Sequence, residues 1–188
     1  MPNILDITRI GNPLLRRVAK RLSREDIVSE RIQALIVNMR HTLAAREYGV
    51  GLAAPQVGES LALSVVGIKP TPNRPTLEPF ETVIINPEII QTYGELKPMW
   101  EGCISCGTGD DTLFAQVPRY ERIKLRWLDE RGGQREEGID GFVAHVAQHE
   151  VDHLNGIMFM DKVEDTRTYM MADEYRNRIV KKPSGKAK

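Results

Sequence analysis

Ala144-His145-Val146-Ala147-Gln148-His149-Glu150-Val151-Asp152-His153-Leu154 holds three of the four histidines in the chain. A helix turns about 100° per residue, so His153 lies ~40° round from His149 and both imidazoles reach one metal ion. Glu150 lies ~100° to one side of that stripe and Asp152 ~60° to the other. One carboxylate can then face a water while the other braces the helix. His145 continues the stripe one turn earlier and reads as a pocket-lining neighbour rather than a third ligand. The spacing also occurs on ordinary amphipathic helices, so the metal reading needs a third donor from elsewhere.

The rest of the chain bounds the possibilities. With 188 residues, 41% hydrophobic and 28% charged, it reads as one globular domain with a core of useful size. Its 26 Lys and Arg balance its 26 Asp and Glu, which gives no electrostatic hint of DNA or membrane binding. No apolar run approaches ~18 residues, and Met1-Pro2-Asn3-Ile4-Leu5-Asp6 lacks the charge-then-apolar pattern of a signal peptide. The two cysteines, Cys103 and Cys106, suit a reducing, cytoplasmic compartment in which they stay thiols.

Outward from the histidine helix, expected over Ile139–Asn155 with Gly156 as its stop, the pattern alternates strands and turns. A first helix is expected from Ser23 or Ser29 to Tyr48, with Ile32, Leu35, Ile36, Met39 and Leu43 on one face. Leu61–Ile68, Glu81–Asn86, Ile89–Tyr93 and Arg122–Asp129 read as strands, with a Pro/Thr/Asn-rich loop at Lys69–Pro79 and a hairpin turn at Arg131-Gly132-Gly133-Gln134. Met158–Met160 reads as a short last strand and Thr166–Val180 as a last helix. The predicted class is α+β: antiparallel strands packed around a central metal-binding HExxH helix, with an N-terminal and a C-terminal helix. Residues 1–170 are expected to form a single catalytic domain. Residues 171–188 would be the end of the last helix and a basic, disordered tail.

Two further segments carry chemistry. Glu101-Gly102-Cys103-Ile104-Ser105-Cys106 follows strand-like sequence and offers thiolates as third ligands, although a free cysteine is commonly a small buried hydrophobe. Gly49-Val50-Gly51-Leu52-Ala53-Ala54-Pro55-Gln56 follows a predicted helix and lacks a phosphate-loop lysine, which argues against a nucleotide site. Its small residues permit close approach of another chain, and Gln56 offers an amide donor.

Taken together, Gly49–Gln56 (GxGxAAxQ), Glu101–Ser105 (EGCxS) and Gln148–His153 (QHExDH) resemble the three motifs of peptide deformylases, in that order and with similar separations. Pro13-Leu14-Leu15-Arg16, Val117-Pro118-Arg119 and Leu154-Asn155-Gly156 add to the likeness, which covers roughly residues 4 to 165. The resemblance implies a ferrous hydrolase that removes the formyl group from N-formylmethionyl peptides and nascent chains, releasing formate. It implies Cys103, His149 and His153 as ligands of the metal, which activates a water. Glu150 would carry the proton. Gln56 and the Ile104 N–H would stabilise the oxyanion. Val50, Gly51, Met99, Glu101, Phe142, His145 and Val146 match positions that line the substrate pocket, where His145 stands in place of the more usual apolar residue or arginine. The Gly51 backbone and the strand before Glu101 would pair with an extended peptide. By ligand type alone Zn²⁺, Ni²⁺ or Co²⁺ would serve as well as Fe²⁺.

The chain departs from the family pattern after Ser105. Cys106–Gln116 is longer than the usual connection, and Phe114 stands near the place of an arginine that binds substrate backbone. Gly107–Thr112 is expected to form a loop beside the substrate entrance. Two rivals remain at this level: a closed structural zinc site of Cys103, Cys106, His149 and His153 in a non-enzymatic interaction protein, and a peptidase of the broad HExxH kind. Lys181–Lys188 is basic enough for a transient ribosome contact, with a solvated tail as the plainer reading.

Overall fold

The computed structural model describes residues 2–46, 48–70 and 76–181. Two N-terminal helices, α1 (Arg24–Ile27) and α2 (Glu30–Ala44), start at serine caps. Ser29 accepts from the Ile32 N–H and breaks what the sequence suggested might be one helix. α2 ends at Ala44, short of the expected Tyr48. The chain there turns back across its own last turn, so close that a Cβ on Gly49 would meet the Leu43 side chain at 2.9 Å.

Strands β1 (Gly51–Ala53), β2 (Leu63–Ile68), β3 (Phe80–Gly102), β4 (Leu113–Leu128) and β5 (Gln134–Asp140) pair antiparallel in sequence order, and β6 (Met170–Met171) adds to β4. β3 joins the two expected strands 81–86 and 89–93 into one. Its register slips after Ile85, Ile89 and Tyr93, and these bulges absorb Pro87. Asn86 takes a positive φ of 52° at the first bulge, where its side chain exchanges two hydrogen bonds with the Leu22 backbone.

Helix α3 (Gly141–Leu154) follows β5 directly, and Ile139, expected in the helix, instead pairs with Ile123. Successive residues of the central strands face opposite ways. Val65, Val83 and Ile85 pack on Ile32, Ile36 and Met39 of α2. Val66, Ile84, Ile123 and Leu125 pack on Ala144, Ala147 and Val151 of α3. A sheet covered on both faces explains why β2 is buried along nearly its whole length. Each fully buried Ile or Leu contributes roughly 1.5–3 kcal/mol.

Three C-terminal expectations are corrected. Met158–Met160 is not a strand: Phe159–Lys162 is a 3-10 turn, closed by the Asp161 carboxylate accepting from the Met158 N–H at 2.8 Å. The single helix expected over Thr166–Val180 is interrupted. Asp165 caps a 3-10 turn at Thr166–Thr168, and the open edge of β4 then captures Met170–Met171 as β6. Only Ala172–Tyr175 (α4) and a wider turn over Arg176–Val180 are helical. The division expected at residue 170 thus falls inside β6. The basic stretch 182–188 and the centre of the 69–79 loop lie outside the described residues. Among the described residues no helix is long and apolar enough to cross a membrane.

Candidate active site

β3 ends on Glu101-Gly102, and the chain enters a 3-10 turn, Ile104–Cys106, with Cys103 at its cap. α3 runs past this point and carries His149, Glu150 and His153. The donor atoms of Cys103, His149 and His153 lie within 4.8 Å of one another. Cys103 Sγ is 3.3 Å from His153 Nε2, and the two imidazole rings stand edge to face at 4.8 Å. Among the described residues Cys106 is not part of this convergence.

A buried charge network holds the cluster from behind. Arg119, 1% exposed, donates from Nε and Nη2 to Glu101 at 2.5 and 3.0 Å and from Nη1 to Asp152 at 2.5 Å. Lys162 donates to the other Asp152 oxygen at 2.7 Å. Glu101 in turn accepts from His149 Nδ1 at 2.8 Å and from His145 Nε2 at 2.9 Å. The first of these bonds leaves His149 Nε2 to face the cluster. β3, β4 and α3 are thus cross-linked by one guanidinium.

The titration shifts follow from this arrangement. Burial pushes the Glu101 carboxyl up, but hydrogen bonds from His145, His149 and Arg119 outweigh it and hold the group well below the carboxylate range. Burial lowers His149, but the Glu101 hydrogen bond and charge prevail and raise it. Burial, then the neighbouring His149 charge, drive His153 well down. The adjacent Cys106 thiol, then burial, hold Cys103 well above the ordinary thiol range. Burial pushes Glu150 up to about 7, against the pull of the neighbouring His149 charge.

The residues present fit a divalent ion. Soft and borderline donors converge, one imidazole is oriented by a carboxylate, and a thiol that resists ionisation needs a neighbouring cation to become a thiolate. Glu150 Oε2 is buried with no hydrogen-bond partner, a costly state that a cation or a bound water relieves.

A cavity of about 450 Å³ opens on this cluster. Val50, Gly51, Gln56, Glu101, Cys103, Ile104, Phe142, His145, Val146, His149 and Glu150 line it; Met99 does not, and its neighbour Trp100 does. Gln56 sits in the 3-10 turn Ala54–Val57. Its Oε1 accepts from the Ala53 N–H at 2.8 Å, which aims Nε2 at Ser105 Oγ (3.2 Å) and Cys103 Sγ (3.3 Å). Ile104 opens its turn, where a backbone N–H has no partner within the turn. The residues 107–109 and 112 of the long connection also line the cavity.

Sequence reasoning missed the Arg119 network and the contribution of Tyr175, Arg176 and Val180 to the cavity wall. The first had a signal: two carboxylates beside the candidate ligands, Glu101 and Asp152, require a buried cation. The second had none, since it depends on where β6 attaches.

An α+β fold with an antiparallel sheet, a Cys/His₂ cluster and an unpaired glutamate at the floor of a cleft is the arrangement of a metal-dependent hydrolase. The sequence profile of the polypeptide deformylase family matches residues 4–169. Peptide deformylase 2 of Nostoc sp. is 36% identical over 183 residues, 96% of this chain and 97% of that protein. The Met-Ala-Ser-bound structure of the class I type b peptide deformylase from Acinetobacter baumannii superposes with a TM-score of 0.79 at 34% identity, covering 87% of this chain and all of that one. The actinonin complex of a peptide deformylase from Synechococcus elongatus gives 0.74 at 36% identity, covering 87% of this chain and 83% of that one. The chain belongs to the polypeptide deformylase family. It is an enzyme with deformylase function, and the non-catalytic zinc-site reading is set aside.

Proposed function

We propose that this enzyme removes the formyl group of N-formylmethionyl chains with Glu150 as proton carrier and Gln56 and Ile104 as oxyanion donors. Cys103, His149 and His153 would hold the metal, Fe²⁺ by family likeness, with Zn²⁺, Ni²⁺ and Co²⁺ also compatible with the donors. The observation that carries the reading is that Glu150 lines the same cavity as Cys103 and His149, whose donor atoms converge with that of His153.

A divalent ion at the cluster supplies Lewis acidity. Glu150 accepts the proton of the water that attacks the formyl carbon and passes it to the nitrogen as the C–N bond breaks, giving formate and a free methionine amine. A carboxyl near neutrality serves both directions of that transfer. The Gln56 amide and the Ile104 N–H donate to the oxygen on which charge develops. β1 lies at one end of the sheet and pairs only with β2, so its outer edge is available to an extended peptide at Gly51. The methionine side chain enters between Val50, Phe142 and Val146. His145 fits an apolar pocket because Glu101 already takes its Nε2.

The substrate class belongs where chains are synthesised, so cytoplasmic work beside the ribosome is part of this reading. Formate release from formyl-Met-Ala-Ser by protein loaded anaerobically with Fe²⁺ tests it, beside Glu150→Ala. Turnover in the first and none in the second is expected; cleavage of an internal peptide bond in place of formate release would make the protein a peptidase.

A further inference from the structure

The described C-terminal residues form part of the cleft. Ala172, Tyr175, Arg176 and Val180 line the same cavity as Cys103 and Glu150. The Tyr175 ring stacks on Phe114 with centroids 4.4 Å apart and planes 6° off parallel, and meets Trp100 at 5.5 Å and 52°. Rings from α4, β4 and β3 thus make one aromatic wall. Gly102 allows it to sit this close: a Cβ there would meet Phe114 Cζ at 2.6 Å.

The wall is anchored on both sides. Met170 pairs with Phe114 and Met171 with Leu113, which ties the start of α4 to the sheet. Arg176 forms an ion pair with Asp110, which joins the end of the wall to the long connection after Ser105. Phe114 stands where the family resemblance leads one to expect a cation for substrate backbone, and this chain has an apolar surface there instead.

The methionine pocket of the proposed function uses Phe142, His145 and Val146 and leaves this aromatic surface without a task. A cavity of about 450 Å³ suits a ligand larger than one amino-acid side chain. An extended peptide advances ~3.3 Å per residue, so the residues after methionine come within reach of a wall continuous with the cleft.

We propose that Trp100, Phe114 and Tyr175 form a specificity subsite that takes a large apolar or aromatic side chain downstream of the formylated methionine. This rests on the deformylase reading of the same site. Ring–ring contacts of this kind, added to the apolar area removed from water, correspond to about a tenfold gain in kcat/KM.

The test compares formyl-Met-Ala-Ser with peptides carrying Phe, Leu or Asp at the second or third position. It uses the iron-loaded protein, Tyr175→Ala and Tyr175→Phe. Phe and Leu peptides are expected to exceed formyl-Met-Ala-Ser by about tenfold in kcat/KM, mainly through KM, with Asp disfavoured. Tyr175→Ala should shrink that advantage to within about twofold, and Tyr175→Phe should keep it. Because each result is a ratio of two substrates on one preparation, partial misfolding of a variant does not alter it. Formate release without any downstream preference, or a preference that survives Tyr175→Ala, overturns the subsite. No formate from any peptide overturns the deformylase reading as well.

Discussion

A Cβ on Gly51 would lie 2.2 Å from Oε1 of Glu150. Strand β1 and helix α3 therefore touch at the carboxylate proposed to carry the proton, and only hydrogen fits between them. Gly51→Ala should fold, because β1 is an ordinary strand there, yet push Glu150 aside. Displacements of this size cost on the order of 10²-fold in rate. Steady-state kcat beside a thermal melt checks this; an unchanged kcat would mean that Glu150 yields without consequence.

The raised carboxyl of Glu150 has a stability signature in the metal-free protein. Its folded value of about 7 exceeds the ordinary 4.5, so the folded state binds the proton more tightly than the unfolded state. The group therefore costs stability as pH climbs from about 4.5, with the full cost present above about 7. Glu150→Gln should melt higher than the parent at pH 8, by up to about 3 kcal/mol, and equally at pH 4.5. Calorimetry at the two pH values decides it, and parallel melting curves would contradict the burial of that charge.

Arg119 neutralises Glu101 and Asp152 at once. Arg119→Met should cost about 3–5 kcal/mol, since it takes the guanidinium from the buried Glu101 carboxylate and leaves Asp152 with Lys162 alone. Adding Glu101→Gln and Asp152→Asn should recover part of the loss. Denaturant titration of the single and triple variants measures both; a triple variant no more stable than the single one would remove the charge argument.

Gln56 is held by the Ala53 N–H with its amide nitrogen toward the cluster. Gln56→Ala should lower kcat on the order of 10²–10³-fold with KM nearly constant. A rise in KM of similar size with kcat unchanged would reassign the residue to holding substrate.

Cys103→Ser should lose tight metal binding, whereas Cys106→Ser should retain one ion per chain, because among the described residues it is Cys103 that converges with the two imidazoles. Chelation should leave the far-ultraviolet circular dichroism unchanged, as the Arg119 network holds the three elements together. Metal analysis and circular dichroism report the two outcomes, and unfolding on chelation would show that the ion maintains the fold.

Local pattern carried much of this structure. Periods of 3.6 and 2 are written into α2, α3 and the Arg122–Leu128 part of β4, because each buries one stripe or face, whereas β2 is buried on both. The histidine spacing on α3 is legible for the same reason. What was not legible depends on distant pairing. The sequence reads as two strands on either side of Pro87, and β3 runs on through the bulge, where Asn86 bonds the Leu22 backbone and its N–H donates to the Ala62 carbonyl. Residues 166–180 looked like one helix, but the free edge of β4 takes two of them as a strand. The stacking of Tyr175 on Phe114 follows from that capture and has no trace in either local sequence. The burial of Arg119 is written not in its sequence neighbours but in the two distant carboxylates, Glu101 and Asp152, that it pairs with.

Cys103 and His153 meet across 50 positions of sequence, with β4, β5 and most of α3 strung between them. That separation has a consequence in time. During synthesis the thiol is exposed first and waits while the two long strands and the helix are made. Until β4 has zipped along β3 there is no place for an ion, and such non-local pairing is the slow part of folding. The cluster is thus assembled late, and the Cys103 thiol spends the early life of the chain without the imidazole that faces it in the folded protein.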